Sequence, residues 1–105
     1  MALIKSKAAE HGVSAQTMLA VVSCESQYKI DVQSNHRYTT TNVPKGYKVG
    51  DREQSFGLVQ VHLPAHPNIT KDQATDPEFA VEFLAKNLAA GKGNMWSCMK
   101  TIAMR

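Results

Sequence analysis

The sequence predicts one mainly α-helical domain of the α+β class, with a small β-hairpin inserted between its helices. Apolar residues recur at helical spacing near both ends of the chain. Between these segments lies a polar stretch in which short β-prone runs flank a turn. The 105 residues are 43% hydrophobic and 20% charged, a length and composition that suit a single globular domain over residues 1–105.

Two helices are expected in the N-terminal part of the chain. Residues Ala2 to His11 can form a short helix, and Gly12 stands where a left-handed C-terminal cap is usual. Ser14 can cap the N-terminus of a second helix over residues 15–29.

The second helix carries the first candidate functional residue, Glu25. It follows Met18, Val21 and Val22 at helical spacing, so its carboxyl group lies on or beside the buried face. Burial disfavours the carboxylate and raises the pKa of such a group, which can then hold its proton near neutral pH. A carboxylic acid of this kind can act as a general acid, because it can protonate a leaving group as a bond breaks. The alternative is a solvated glutamate on the surface.

The middle of the chain has a different character. From residue 29 to 54, Asn, Thr, Gly, Pro and charged residues dominate and no helical period survives. The runs RYTTTNV and GYKV surround Pro44-Lys45-Gly46, which predicts a hairpin over residues 38–49. The apolar segment SFGLVQV follows, and Pro64 and Pro67 then interrupt the chain.

Two start signals mark the C-terminal part. Thr70 and Gln73 form a capping box, which predicts a brief helical turn. Asp76 followed by Pro77 predicts a longer helix that ends at Gly91. One face of that helix is formed by its apolar residues, Phe79, Ala80, Phe83, Leu84 and Leu88. A last helix, over about residues 95–104, is expected to supply the core with Trp96, Met99 and Ile102.

Charge and hydropathy limit the classes of molecule that the chain could bind. The net charge is +3, and the basic residues are spread along the whole chain. This charge suits an anionic polymer such as a cell wall, and its even distribution does not suggest nucleic acid. The longest strongly apolar run, residues 18–22, is too short to span a membrane. His62 and His66 have ligand-like spacing, but Pro64 between them breaks the helix that would align them. We therefore expect no metal site.

Three segments, taken in order, resemble a known family. They are Cys24-Glu25-Ser26 with Ser34 nine residues after the glutamate, the run Ser55-Phe56-Gly57-Leu58-Val59-Gln60, and the segment DPEFAVEFLAKNL. Together they resemble the soluble lytic transglycosylase (SLT) domain, a member of the lysozyme-like superfamily related to goose-type lysozyme. The resemblance covers about residues 14–96 and implies a lysozyme-like fold.

The resemblance also implies a substrate and a site. The substrate would be peptidoglycan, cut at the β-1,4 bond between N-acetylmuramic acid and N-acetylglucosamine, with no cofactor. Glu25 would be the acid/base, and Ser34 would support it or the substrate's N-acetyl group. The segment that binds sugar would comprise Gln60 and the backbone of Gly57, Leu58 and Val59. The cleft would lie between the Glu25 helix and SFGLVQV.

The expected setting is the periplasm, the cell wall or the extracellular space, in bacteria or by phage delivery. The first ten residues carry no apolar signal segment, so we expect the domain to belong to a longer exported protein or to be delivered by a phage. We expect it to act as a monomer.

The chain departs from the family pattern in two places. The connection between Ser34 and Gly57 is longer than is usual, and we expect the hairpin of this insertion, residues 35–54, to wall one side of the cleft. The family's tyrosine that reaches the catalytic glutamate has no counterpart near the C-terminus. Tyr38 or Tyr47 in the insertion could take its place.

The matched motifs supply a single carboxylate, which favours a non-hydrolytic reaction ending in a 1,6-anhydro-muramyl product. One alternative is a hydrolase, a lysozyme or chitinase, whose second carboxylate activates water. The candidates for that second carboxylate are Asp31, Asp51 and Glu53. Another alternative is a glycan-binding module without turnover.

The two cysteines, Cys24 and Cys98, are far apart in the sequence. A disulfide between them would brace the Glu25 helix without entering the cleft, because Cys24 points about 100° away from Glu25 around the helix. Two buried thiols are the alternative, and an oxidising compartment would favour the disulfide.

Overall fold

The computed structural model describes residues 2–103, with side chains as far as residue 100. Within these residues the helices are α1 (Ala2–His11), α2 (Ala15–Ser26), α3 (Lys71–Ala74), α4 (Pro77–Ala89) and α5 (Ser97–Ala103). Two short strands, β1 (Ser55–Phe56) and β2 (Val61–His62), lie between α2 and α3 in the chain and pair antiparallel. The predicted class, mainly α with a small antiparallel β element, is confirmed.

The start of α2 is as predicted and its end is not. The Ser14 hydroxyl accepts a hydrogen bond from the Thr17 backbone N–H at 3.1 Å, which caps the N-terminus. The helix stops at Ser26, three residues before the expected end, because Gln27 and Tyr28 adopt left-handed backbone conformations with φ of 54° and 64°. This turn carries the chain away from the helix axis directly after Glu25.

Both start signals in the C-terminal part are confirmed. The Thr70 hydroxyl accepts from the Gln73 N–H at 3.1 Å, and the Gln73 side chain accepts from the Thr70 N–H at 3.0 Å. The Asp76 carboxylate accepts from the Glu78 N–H at 3.1 Å, with Pro77 in the first turn. These caps supply partners for N–H groups that a helix start cannot bond internally.

The hairpin predicted over residues 38–49 is wrong in its position. Residues 39–49 form turns, and most of them are exposed. Antiparallel pairing is confined to the base of the insertion, where the Tyr38 N–H donates to the Asp51 carbonyl at 2.9 Å and Arg37 forms a bridge with Arg52. Most residues of the tip are exposed and do not alternate between a buried and a solvent face, which is the setting that favours strands. The strands form instead at the two ends of SFGLVQV, and the second of them extends to His62.

The core lies between α1, α2 and α4 and beneath the β1–β2 turn. Its fully buried large side chains are Ile4, Met18, Val21, Val22, Leu58, Val59, Val61, Val81 and Leu84. The buried residues of α4 are Ala80, Val81, Leu84 and Ala85, so Ala80 and Leu84 lie on the predicted face. The other predicted members of that face are only half-buried: Phe79, Phe83 and Leu88. No helix of residues 2–103 has the length and apolarity needed to cross a membrane.

Trp96 anchors the C-terminal part, as the sequence predicts. Only 4% of its surface is exposed, and its indole N–H donates to the Val59 carbonyl at 2.7 Å. The helix that follows begins at Ser97, two residues late, because a 3₁₀ turn occupies Gly93–Met95. The side chain of Ile102 and the whole of Met104 lie outside the part that the structure describes.

Gly57 allows the β1–β2 turn to pack directly against α3. Its φ of 83° lies in the left-handed region, and a Cβ atom there would lie 2.9 Å from the carbonyl carbon of Ala74 and overlap its oxygen. Only glycine fits this approach without displacing backbone.

Candidate active site

A cleft of about 1000 Å³ opens where the C-terminal end of α2 faces the insertion and the β1–β2 turn. The start of α5 closes one side of it. Its lining consists of residues 24–27, Lys29, residues 32–39, Asn42, Glu53, Ser55, Gln60, His62 and residues 95–98. The cleft therefore lies between the Glu25 helix and the SFGLVQV segment, where the sequence predicts it.

Glu25 lies half-buried in the last turn of α2, with its carboxyl group in the cleft. Its Oε2 atom is buried and has no hydrogen-bond partner among the residues that the structure describes. Burial raises the pKa of Glu25 above its usual value of 4.5. The backbone N–H of Cys98 opposes this rise, the negative charge of Glu53 adds to it, and His36 again opposes it. The net effect raises the pKa of Glu25, which shifts the group toward the protonated form that can donate a proton.

Ser34 is buried and lines the same cleft. Its backbone N–H donates to the Ser55 carbonyl at 2.9 Å, which ties the insertion to β1. Its hydroxyl oxygen accepts from the His36 N–H at 3.1 Å. The hydroxyl proton finds no acceptor within the described part of the chain, so Ser34 can donate it to a molecule in the cleft.

The structure divides the predicted sugar-binding segment. Gly57, Leu58 and Val59 are buried in the core and are not part of the cleft wall. The Gly57 and Val59 carbonyls are already bonded, to Gln60 and Trp96 respectively. The assignment of these three residues to sugar binding is therefore not supported by their position.

Gln60 does line the cleft. Its backbone has a φ of 50°, and its side-chain amide donates to the carbonyls of Val32 at 3.1 Å and Gly57 at 2.9 Å. These bonds hold the amide plane and leave its own carbonyl oxygen available as an acceptor.

The two candidate tyrosines have different positions. Tyr38 is 3% exposed and lines the cleft, whereas Tyr47 packs on Tyr38, with ring centroids 5.6 Å apart, and lies outside the lining. The Tyr38 hydroxyl accepts from the Gln54 N–H at 3.0 Å and shares a hydrogen bond with His62 Nε2 at 2.9 Å. Tyr38 thus joins the insertion to β2, and its hydroxyl is bonded to these groups and not to Glu25.

Of the three candidates for a second carboxylate, one lines the cleft and two do not. Asp31 and Asp51 are exposed and do not line the cleft, and Asp51 accepts from the Lys48 N–H at 2.9 Å. Glu53 is half-buried and faces into the cleft. Its backbone is held by His36, which accepts its N–H at 2.8 Å, and by Gln33, which donates to its carbonyl at 3.1 Å. Only Glu53 of the three shares the site with Glu25.

Cys24 and Cys98 form the predicted disulfide, with Cα atoms 6.2 Å apart. The expectation that the bond stays outside the cleft is wrong, because both cysteines are part of the cleft lining. The bond joins α2 to α5 beside Glu25. Both sulfurs are therefore unable to serve as thiolate ligands, although they lie near the Glu25 carboxylate.

His62 and His66, where the sequence predicts no metal site, have separate partners. His62 bonds Tyr38, and His66 packs edge-on against Phe83 with ring centroids 5.3 Å apart. Neither belongs to a group of three potential metal ligands among the described residues.

Sequence reasoning missed three charged or titratable residues of the cleft, Lys29, His36 and Arg37. No local pattern marks them, because they stand in a polar stretch where charge is common. They become recognisable only when the insertion folds back over the end of α2.

The cleft thus combines a half-buried carboxylic acid, a fixed hydroxyl donor and a second carboxylate. Such a set can protonate a leaving oxygen, bind a polar substituent and accept a proton from an attacking hydroxyl group. Comparisons of the chain with protein-family models, curated proteins and solved structures found no match.

Proposed function

We propose that this chain is a lytic transglycosylase that cleaves peptidoglycan at the β-1,4 bond between N-acetylmuramic acid and N-acetylglucosamine. The observation that carries the proposal is the half-buried Glu25, whose Oε2 lacks a partner among the described residues, in a cleft of about 1000 Å³. That volume is at the upper end of the roughly 300–1000 Å³ usual for ligand pockets, which suits a segment of a polymer.

The reaction follows from one carboxyl group used twice. Protonated Glu25 donates its proton to the leaving oxygen of the N-acetylglucosamine unit as the glycosidic bond breaks. The substrate's N-acetyl carbonyl stabilises the positive charge at the muramyl anomeric carbon. The Glu25 carboxylate then takes the proton of the muramyl 6-hydroxyl, whose oxygen bonds to that carbon and closes the 1,6-anhydro ring. Glu25 ends protonated, ready for the next cycle.

The raised pKa of Glu25 supports this sequence of steps. An ordinary glutamate is almost fully ionised near neutral pH and is a poor acid. Burial shifts Glu25 toward its protonated form, while the opposing effect of the Cys98 N–H favours the carboxylate that the second step needs as a base.

We place the activity in the periplasm, the cell wall or the extracellular space. The Cys24–Cys98 disulfide supports this, because disulfides persist in oxidising compartments. The net charge of +3 is compatible with an anionic wall polymer.

A hydrolytic reaction is the second candidate, and the position of Glu53 favours it. A carboxylate that faces the same cleft as an acid can take a proton from water, which then attacks the anomeric carbon. The product would then carry a reducing end. The two reactions use the same acid and differ in the attacking hydroxyl group.

The decisive experiment is digestion of purified peptidoglycan in water enriched in heavy oxygen, followed by mass spectrometry. We expect unlabelled anhydro-muramyl products from the native chain and none from Glu25→Gln, which keeps the shape of the side chain but cannot donate a proton. Labelled reducing ends as the main product would favour the hydrolase. Retention on peptidoglycan without any product from the native chain would favour a binding module.

A further inference from the structure

Arg52 reaches across the base of the insertion and grips the segment that forms one wall of the cleft. Its Nε–H donates to the Ser34 carbonyl at 2.7 Å, and Nη2 donates to the Gln33 carbonyl at 3.1 Å. Nη2 also donates to the side-chain oxygen of Asn35 at 3.2 Å. Three consecutive residues of the cleft wall are therefore held by one guanidinium group, which is itself outside the lining.

The charge of Arg52 is not used in an ion pair within the described part of the chain. The ion pairs there join Lys7 and His11 to acidic residues of α1 and α4. Arg52 instead directs its planar set of donors at neutral oxygens of one segment. A lysine ammonium is a point charge and cannot reproduce this geometry.

Ser34 is the middle one of the three residues to which Arg52 donates hydrogen bonds. Each of its polar groups has an assigned direction: the N–H donates to Ser55, the carbonyl accepts from Arg52, and the hydroxyl oxygen accepts from the His36 N–H. The hydroxyl proton is what remains, and Ser34 lines the cleft together with Glu25. Fixing the backbone of residues 33–35 therefore fixes the position from which the Ser34 hydroxyl donates.

We propose that Arg52 is a positioning residue, which aims the Ser34 hydroxyl at the substrate by holding the backbone of residues 33–35. The inference rests on the proposed function, because it takes the substrate to be an N-acetylated glycan with oxygens that accept this proton. Arg52 would then contribute to sugar binding without contacting the sugar.

The test is sugar binding in a Glu25→Gln background, where turnover does not interfere. Isothermal titration with a tetramer of N-acetylglucosamine compares this parent with Arg52→Ala and Arg52→Lys. Loss of one oriented hydrogen bond should weaken binding about fivefold to tenfold. Arg52→Lys should resemble Arg52→Ala, because the fork of donors and not the charge is required. Lys48→Ala is the matched control, since it removes a positive charge from the same insertion outside the cleft.

A second measurement does not depend on the substrate. Hydrogen exchange of the Ser34 and His36 amides should accelerate in both Arg52 variants and stay unchanged in Lys48→Ala, because those amides form the bonds that orient Ser34. Millimolar guanidinium ion should restore affinity and protection to Arg52→Ala. A merely structural role would lower the melting temperature without changing the affinity measured far below it.

The outcomes separate the two proposals. Parent-like affinity and parent-like exchange in Arg52→Ala would overturn the positioning role. If Arg52→Ala does not fold, native affinity in Arg52→Lys would overturn it equally. Failure of the parent itself to bind the sugar would count against the proposed function, while the exchange data would still decide whether Arg52 orders Ser34.

Discussion

Cys98 acts on Glu25 in two ways. Its sulfur is bonded to Cys24, the residue that precedes Glu25, and its backbone N–H favours the Glu25 carboxylate. The start of α5 thereby moderates the rise in pKa that burial causes. A group that first donates and then accepts a proton needs such a balance, since a carboxyl group with too high a pKa would be slow to release its proton.

The first prediction concerns the pH dependence of activity. Because Glu25 must be protonated to act as an acid, kcat/KM should fall as the pH rises through its raised pKa, above the usual 4.5. Glu53→Gln removes a negative charge that raises this pKa, so the fall should move to lower pH. Asp51→Asn, an exposed change two residues away, should leave the profile unchanged. If kcat/KM instead falls at the pKa of an ordinary glutamate, the assignment of Glu25 as the acid is contradicted.

The second prediction concerns stability. The folded chain holds the Glu25 proton more tightly than the unfolded chain, so the free energy of unfolding should decrease as the pH rises from the usual pKa to the raised one. The glutamine of Glu25→Gln does not ionise, so this variant does not lose stability over that pH range. The melting temperature of Glu25→Gln should therefore exceed that of the native chain at pH 7, and the difference should shrink at pH 4. An equal difference at both pH values would show that Glu25 causes no such loss of stability.

The third prediction concerns the disulfide. It joins residues 74 positions apart, and the loop-entropy model gives a stabilisation of about 4 kcal/mol for such a loop. Cys24→Ser with Cys98→Ser should lower the free energy of unfolding in urea by about 2–5 kcal/mol. Thiol titration of the unreduced, denatured native chain should find no reactive thiol. Two reactive thiols would instead support the buried-thiol alternative.

The fourth prediction concerns Gly57. An alanine there would be strained at φ 83° and would overlap the Ala74 carbonyl, so Gly57→Ala should cost at least about 2 kcal/mol of stability. Gly46→Ala is the matched control, because Gly46 has a φ of 92° but no atom lies within 4 Å of the place that its Cβ would occupy. It should cost about 1 kcal/mol, from the backbone alone. Equal losses in urea denaturation would show that the contact with α3 is not tight.

Local features were predictable because their causes lie within a few residues. The caps at Ser14, Thr70 and Asp76 each bond an N–H two or three residues ahead, so the residue types alone indicate them. The stripe before Glu25 likewise follows from helical periodicity and predicts that this carboxyl group is partly buried. The sequence could not place the end of α2, because Gln27 and Tyr28 carry no usual signal for a left-handed conformation.

The sequence by itself determined the starts of the first four helices, the mainly helical class and the choice of Glu25 as the candidate acid. Only the tertiary structure decided that Glu53, and not Asp31 or Asp51, faces the cleft, and that the Gly57 turn is buried in the core. It also brought Arg52 to Ser34, eighteen residues apart in the chain. The positions of Glu53 and Arg52 depend on how the insertion folds, and the burial of Gly57 depends on how its turn packs against α3. That packing arises from contacts between distant segments, and neither periodicity nor capping carries information about them.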